Sequence, residues 1–489
     1  MGQHDTIFFN RIWLLATFVF VITAWFSVGF HHPDEHFQII EFTNYKLGNV
    51  PVDVLPWEYN AQIRPGLQVI MAYGLFQTLN FCGLSDPFLQ VFVLRLMVAL
   101  FAVFVIGKCC SLFDDEFTTD KGRRVFWLCS FFLWFVPYLS VRFSSENLAG
   151  LLLLYAIYLL VKNQRTDQKL SYMVLVGILL GFAFYARFQI GFAMIGLGLW
   201  LLIMNKPKMK ALLWLIIGLI VAFGINLLID YWLYQDWVLT PYNYLIVNVV
   251  QDVASNWGIS PWWFYFDAFV FIAVPPLSII LLCFFVPGIY KALAHPFTWC
   301  FVPFILLHIF VGHKELRFIF PMLFMFVYFC ARGFDVWLSK DQRKYLIRTV
   351  IVLVLLVNIP LFLFRVFAPA RELVNYNEFL YDYAQDKKVI LLSTESNIYT
   401  IAALEMNFYK TPNVRSYVFP APDEMKLFIE DERPEIFLAR EEIGEAENQY
   451  QHYSRTILFS VLPEWVLKIS WNNWQDKARL WNIVEYRRL

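Results

Sequence analysis

Residues 12–36 read IWLLATFVFVITAWFSVGFHHPDEH, and the change of character after Phe30 decides what kind of protein this is. Ile12 to Phe30 is apolar for long enough to cross a hydrocarbon core of about 30 Å, so the charges that follow sit at the water boundary. Ionisable groups at membrane depth cost about 2.5 to 3.5 kcal/mol each on insertion scales and persist mainly where they line a watery cavity and do work. The adjacent acids Asp34 and Glu35, flanked by His31, His32 and His36, are therefore the first candidate site.

The composition agrees. Of 489 residues, 59% are hydrophobic and only 16% are charged, against roughly 25% charged in an average soluble domain. The chain reads as a polytopic α-helical membrane protein, bound to the lipid bilayer as its first partner. A formal net charge of zero argues against nucleic acid as another. The seven cysteines make no CxxC pair and lie mostly inside apolar runs, so they read as core thiols, and no metal or other cofactor is expected. Lacking a small-residue cleavage site, the first apolar segment is expected to stay as a signal anchor.

Ten further apolar runs approach span length: Phe88 to Cys110, Val125 to Val141, Leu148 to Val161, Tyr172 to Tyr185, Phe188 to Met204, Leu212 to Ile229, Phe266 to Ile289, Thr298 to Val311, Phe318 to Leu338 and Leu346 to Phe367. Leu67 to Leu79 is a shorter twelfth candidate. Basic residues gather at Lys121 to Arg124, Lys162 to Lys169, Lys206 to Lys210, Lys291 and Lys340 to Lys344. The positive-inside rule makes all five loops cytoplasmic only if Leu67 to Leu79 does not cross. The expectation is eleven spans, possibly twelve, with residues 1–368 as the membrane domain. Residues 369–489, with charge throughout and β-prone runs at Val389 to Leu392, Val414 to Phe419 and Glu435 to Leu438, read as an outer or lumenal soluble α/β domain.

This topology gathers the unusual polar segments on the outer face. Pro33 biases His32 toward extended backbone, and Asp34 and Glu35 suit a first helical turn, where Asp34 could accept a proton from a substrate hydroxyl. In His313-Lys314-Glu315-Leu316-Arg317, a helical reading puts His313, Lys314 and Arg317 on one cationic edge suited to phosphate. Arg187, between two short apolar halves, is read either as a cap on a helix break or as a charge facing the cavity, where it would join the phosphate-binding set. The loop from Asp230 to Tyr265 interleaves Trp257, Trp262 and Trp263 with Asn243 and other amides. Aromatic faces beside amides grip sugars, stacking on the ring and bonding its hydroxyls.

In order along the chain, His32-Pro33-Asp34-Glu35-His36-Phe37-Gln38, the Trp57-Glu58-Tyr59 and Arg64 region, Trp237 to Asn243 with Asn248-Val249, Gly258 with Pro261-Trp262-Trp263, and His313 to Phe318 resemble glycosyltransferase family 22. That family includes mannosyltransferases of the GPI anchor and of the N-glycan precursor, and the resemblance is strongest to the GPI-anchor branch and its bacterial relatives. It covers about residues 12 to 340 and leaves the tail untouched. It implies a C-type glycosyltransferase fold, a polyprenyl-phosphate-linked sugar donor, mannose as the sugar and a glycan or glycolipid acceptor. It also implies that Asp34 is the catalytic base, with Glu35 the less favoured holder of that role. His32, Trp57, Glu58 and Arg64 would contact sugar or acceptor together with the residues of the aromatic loop. Where relatives tend to have His between two aromatics, this chain has Trp263.

The residues themselves suit an inverting transfer. Asp34 takes the acceptor proton, the hydroxyl attacks the anomeric carbon opposite the phosphate to give an α-linkage, and His313, Lys314, Arg317 and Arg187 stabilise the leaving phosphate. No Asp-x-Asp motif is present to hold a metal. Two alternatives share these features: a lipid-linked sugar transporter or flippase, which should show paired inverted halves, and a protein-modifying transferase of the same fold class. The lack of an Asn-x-Ser/Thr sequon in outer segments favours a bacterial plasma membrane over the endoplasmic reticulum.

Overall fold

The computed structural model describes residues 3–166, 169–340, 344–394, 397–442, 450, 452–460 and 481–489. Parts of two expected basic loops, residues 167–168 and 341–343, lie outside the described residues.

Apolar runs become helices. Among the described residues six are long and apolar enough to cross a membrane: Ile7–Phe26, Pro87–Glu116, Ser145–Arg165, Met209–Tyr234, Leu316–Lys340 and the apolar part of Lys344–Tyr383. Four shorter apolar helices accompany them, Leu170–Ala186, Ile190–Asn205, Leu277–Lys291 and Pro296–Phe310. Two runs that read as single spans are broken. Val125 to Val141 divides into Asp120–Phe132 and Phe135–Ser140. The Asn358 amide fills the gap, accepting from the Trp134 N–H at 2.8 Å and donating to the Phe132 carbonyl at 2.8 Å, because backbone groups freed among apolar helices need internal partners. Phe266 to Ile289 divides at Pro275-Pro276, where two residues have no N–H to carry a helix onward.

Small residues let the helices approach. A Cβ on Gly288 would lie 1.8 Å from the Phe329 carbonyl oxygen, and one on Gly333 would lie 1.8 Å from that of Phe284, so the two backbones touch where only hydrogen fits. Leu67–Phe81 forms a 15-residue helix, about 22 Å at 1.5 Å per residue and shorter than the hydrocarbon core. Its preceding Gly66 N–H donates to Asp230 Oδ1 at 2.8 Å, tying it to the end of Met209–Tyr234.

The tail carries a five-stranded sheet in the order Val414–Val418, Val389–Ser393, Ile436–Glu442, Trp481–Arg488, Tyr453–Ser460. The first three strands are mutually parallel and the last two join antiparallel. Three of them match the β-prone runs, and the helices Glu372–Tyr383 and Pro422–Glu432 complete an α/β unit. This unit is seated on the membrane helices: Met406, Phe408 and Tyr409 are buried in the same apolar core as Phe76 and Phe88. Phe408 stacks on Phe76 at 5.3 Å, and Tyr409 stacks on Phe88 at 4.8 Å.

Candidate functional site

His32 starts the site. Its backbone is extended, its Nδ1 accepts from the Asp34 N–H at 3.2 Å, and Pro33 occupies the first helical position, so Asp34 and Glu35 fall in the first turn as their sequence predicts. The helix continues through a wider π turn, His36–Ile40, into Glu41–Lys46. π turns inside helices occur often at functional sites.

Asp34 faces two guanidinium groups and an imidazole. Its Oδ2 lies 2.8 Å from Arg317 Nη2 and 3.9 Å from Arg64 Nη2, and its Oδ1 lies 3.3 Å from His32 Nδ1. Burial alone would raise its pKa, but Arg317, His32 and Arg64 together outweigh it and hold the carboxyl well below the usual carboxylate range. Glu35, one residue on, is pushed up to about 7, first by burial, with Arg142 opposing and Glu146 reinforcing. Adjacent acids thus have opposite protonation tendencies.

Arg317 is the hub. Buried to 8% exposure, it pairs with Asp34, with Glu315 through Nε, and with Glu146 Oε1 at 3.3 Å. Glu146 also receives Arg187 Nη1 at 3.0 Å, so Arg187 closes the helix break as a buried, paired charge. Glu315 in turn meets His32 Nε2 at 3.3 Å and His313 Nε2 at 3.0 Å. Burial would raise Glu315, but the bond and charge of Arg317 pull it down to about 2. Glu58 accepts from Gln38 at 3.1 Å and lies 3.7 Å from Arg64.

The expected cationic edge does not form. Residues 311–315 are a non-helical turn, and the helical conformation begins only at Leu316. Lys314 is buried and its Nζ donates to the carbonyls of Ser260, at 2.9 Å, and Val311. His313 Nδ1 lies 2.9 Å from the Gly258 carbonyl. Both side chains therefore pin the aromatic loop to this turn rather than sharing an edge with Arg317. Trp257, Trp262 and Trp263 stand exposed on that loop, Trp57 is exposed on the short helix Trp57–Asn60, and none joins the ion cluster. Asn243 donates its amide to the Gln62 carbonyl at 3.2 Å.

Glu146 joins the cluster although reading the sequence, which marks Arg142 to Asn147 as an outer polar segment, assigned it no role. Its signal was present: a carboxylate at the start of an otherwise apolar run. Arg142, 2% exposed and from the same polar segment, donates to the Gly29 carbonyl at 2.9 Å and to the Ser27 carbonyl, fixing the chain just before His31.

Two cavities adjoin the cluster. Arg64, Arg187, Gln189 and Tyr244 line one, and His31, Glu35, Glu146 and Arg317 line the other. Arg64 Nε and Arg187 Nε are buried with no hydrogen-bond partner among the described residues. The first cavity is thus lined by two guanidinium groups with donors to spare for an anion.

Comparison with known proteins agrees with this picture. The model of the Alg9-like mannosyltransferase family matches residues 12–418. The chain is 26% identical over 318 residues to "GPI alpha-1,2-mannosyltransferase 3" of Bos taurus, covering 64% of this chain and 56% of that one. It is 25% identical over 367 residues to "GPI mannosyltransferase 3" of Candida albicans, covering 74% and 70%. The match thus spans little more than half the length of the bovine relative. Among solved structures, ArnT from Cupriavidus metallidurans, in a crystal structure with undecaprenyl phosphate bound, superposes with TM-score 0.56 at 12% identity, over 90% of this chain and 93% of that one. The fold is therefore the one ArnT has. These sequence relatives are eukaryotic, so the expected preference for a bacterial plasma membrane finds no support in them.

Proposed function

The chain belongs to the Alg9-like mannosyltransferase family, and from that premise we propose that it is an inverting hexosyltransferase, moving mannose from a polyprenyl-phosphate donor to a hydroxyl of a glycan or glycolipid acceptor. Transfer occurs on the outer or lumenal face, with eleven crossings and residues 369–489 as a domain on that same face.

The observation that carries this reading is the pairing of Asp34 with Arg317 beside the cavity of Arg64 and Arg187. A base held ionised stands next to cations suited to a leaving phosphate. Its depressed pKa is compatible with the role, because in an oxocarbenium-like transition state the attacking hydroxyl becomes acidic as its bond to the anomeric carbon forms. The proton then passes to a weak base late in the reaction, and the phosphate departs toward Arg64 and Arg187. Glu35, raised to about 7, is the partner that bonds or orients the acceptor. The undecaprenyl phosphate of the ArnT structure supports a polyprenyl phosphate as donor. Exposed Trp57, Trp257, Trp262 and Trp263 offer stacking faces to the acceptor.

The test is transfer by the full chain in lipid nanodiscs from radiolabelled polyprenyl-phosphate mannose to a mannosyl glycolipid, with Asp34→Asn as the decisive variant. Loss of transfer with donor binding kept supports the reading. Undiminished turnover in Asp34→Asn overturns the base assignment, and binding of the donor without transfer by the unaltered chain overturns the enzyme.

A further inference from the structure

We infer that a second cavity, between the helix that carries Asp34 and the tail domain, is a binding subsite for a neutral oligosaccharide. It holds the part of the acceptor glycan remote from the reacting hydroxyl, and in that respect it rests on the reading above. The cavity measures ≈ 680 Å³, within the 300 to 1,000 Å³ common for ligand pockets. Its lining includes four asparagines, Asn44 and Asn49 from the membrane-side helix and the turn after it, and Asn397 and Asn407 from the tail.

The chemistry of that lining fits sugar hydroxyls. Each amide offers donors and an acceptor, as each hydroxyl is both donor and acceptor, and the aromatic rings of Tyr399 and Phe408 add apolar faces. The charges present cancel, since Lys410 pairs with Glu405. Two hydroxyl groups await partners: Tyr399, only 2% exposed, has a buried Oη with none among the described residues, and so does Ser416 Oγ. A buried unpaired hydroxyl costs stability and calls for an explanation, which a ligand hydroxyl supplies.

The wall is built rather than incidental. Asn49 Nδ2 donates to Asn44 Oδ1 at 3.0 Å, and Asn44 Nδ2 donates to Glu41 Oε2 at 3.2 Å. The other oxygen of Glu41, itself 2% exposed, accepts the Phe408 N–H at 2.9 Å and meets His36 Nε2 at 2.9 Å. Membrane side and tail are thereby locked across the cavity. Asn44 follows Asp34 by ten positions on one helical path, about 15 Å at the helical rise, so an extended glycan can reach both.

The experiment titrates α-mannotriose and methyl α-mannoside into the full chain in nanodiscs, read by saturation-transfer NMR, with Tyr399→Phe and Asn49→Ala as variants. Tyr399→Phe removes only the unpaired hydroxyl and keeps the ring, so its melting temperature should match or exceed the parent's. We expect the trisaccharide to bind the parent about tenfold more tightly than either variant. In transfer assays KM for a glycan acceptor should rise in both variants while kcat is kept and transfer to methyl α-mannoside is unchanged. Equal trisaccharide affinity in parent and variants, or none in the parent, overturns the subsite. Because this readout needs no turnover, trisaccharide binding lost only in the variants upholds the subsite even if transfer fails, and Asp34→Asn should bind as the parent does.

Discussion

Asp34 Oδ2 lies 2.8 Å from Nη2 of Arg317, joining the first turn after the first apolar helix to the entry of a helix late in the chain. The pair helps fix the charge state of the proposed base, since this guanidinium, with His32 and Arg64, outweighs the burial that would otherwise protonate it. Replacing Asp34 by Asn keeps shape and burial while removing the proton acceptor. Transfer should fall by about 10²- to 10⁴-fold in kcat, with donor affinity within a few fold of the parent, measured by single-turnover transfer and by donor titration.

Arg317→Lys should behave as a severe change. The planar fork of arginine serves Asp34, Glu315 and Glu146 together, and an ammonium on a flexible stem cannot. Three carboxylates would then crowd one site with their shared cation displaced. Breaking a buried ion pair costs about 3 to 5 kcal/mol, so thermal unfolding in detergent should shift sharply down, and Arg317→Met should be worse tolerated than Glu315→Gln.

How much of this was legible follows from the range of the forces involved. The start of the helix at Pro33 and the placement of Asp34 and Glu35 depend on neighbours within a turn, and the sequence predicts them. Lys314 and Arg317 show the opposite case: three residues apart, they share an edge only if helical, and the turn at 311–315 sends Lys314 to the Ser260 carbonyl instead. Glu146 lies in a segment the sequence marks as polar and outer, yet it received no role because its partners Arg187 and Arg317 are distant in sequence and near in space. The strands Tyr453–Ser460 and Trp481–Arg488 escaped notice because charged residues interrupt their apolar pattern. Arg455 reaches Glu441 at 2.9 Å, a pairing visible only once the sheet is assembled.

Gly288→Ala should destabilise without touching the site. The added methyl would lie 1.8 Å from the Phe329 carbonyl oxygen, a backbone atom that cannot move without shifting the helix Leu323–Lys340. Overpacking of this kind costs about 1 to 3 kcal/mol. Gly198, where a Cβ would meet nothing within 4 Å, is the control. Melting temperature should drop for Gly288→Ala and hold for Gly198→Ala.

Glu35 and Glu315 should pull stability in opposite directions with pH. Glu35 rises from 4.5 to about 7 on folding, so the folded state binds its proton more tightly than the unfolded chain does. Between those values stability falls as pH rises, since the folded protein must ionise a desolvated, half-buried acid. Glu35→Gln abolishes that loss, and its advantage over the parent should grow from about pH 4.5 to about pH 7 and then level off. Glu315 goes the other way, from 4.5 down to about 2, so its stabilisation is full above 4.5 and fades as pH falls toward 2. Glu315→Gln should therefore lie below the parent at neutral pH and converge with it in acid. Melting curves of the parent and both variants across this range decide the matter. A Glu35→Gln advantage that shrinks with rising pH would contradict the burial assigned to Glu35, and a Glu315→Gln deficit that persists in acid would contradict the pairing of Glu315 with Arg317.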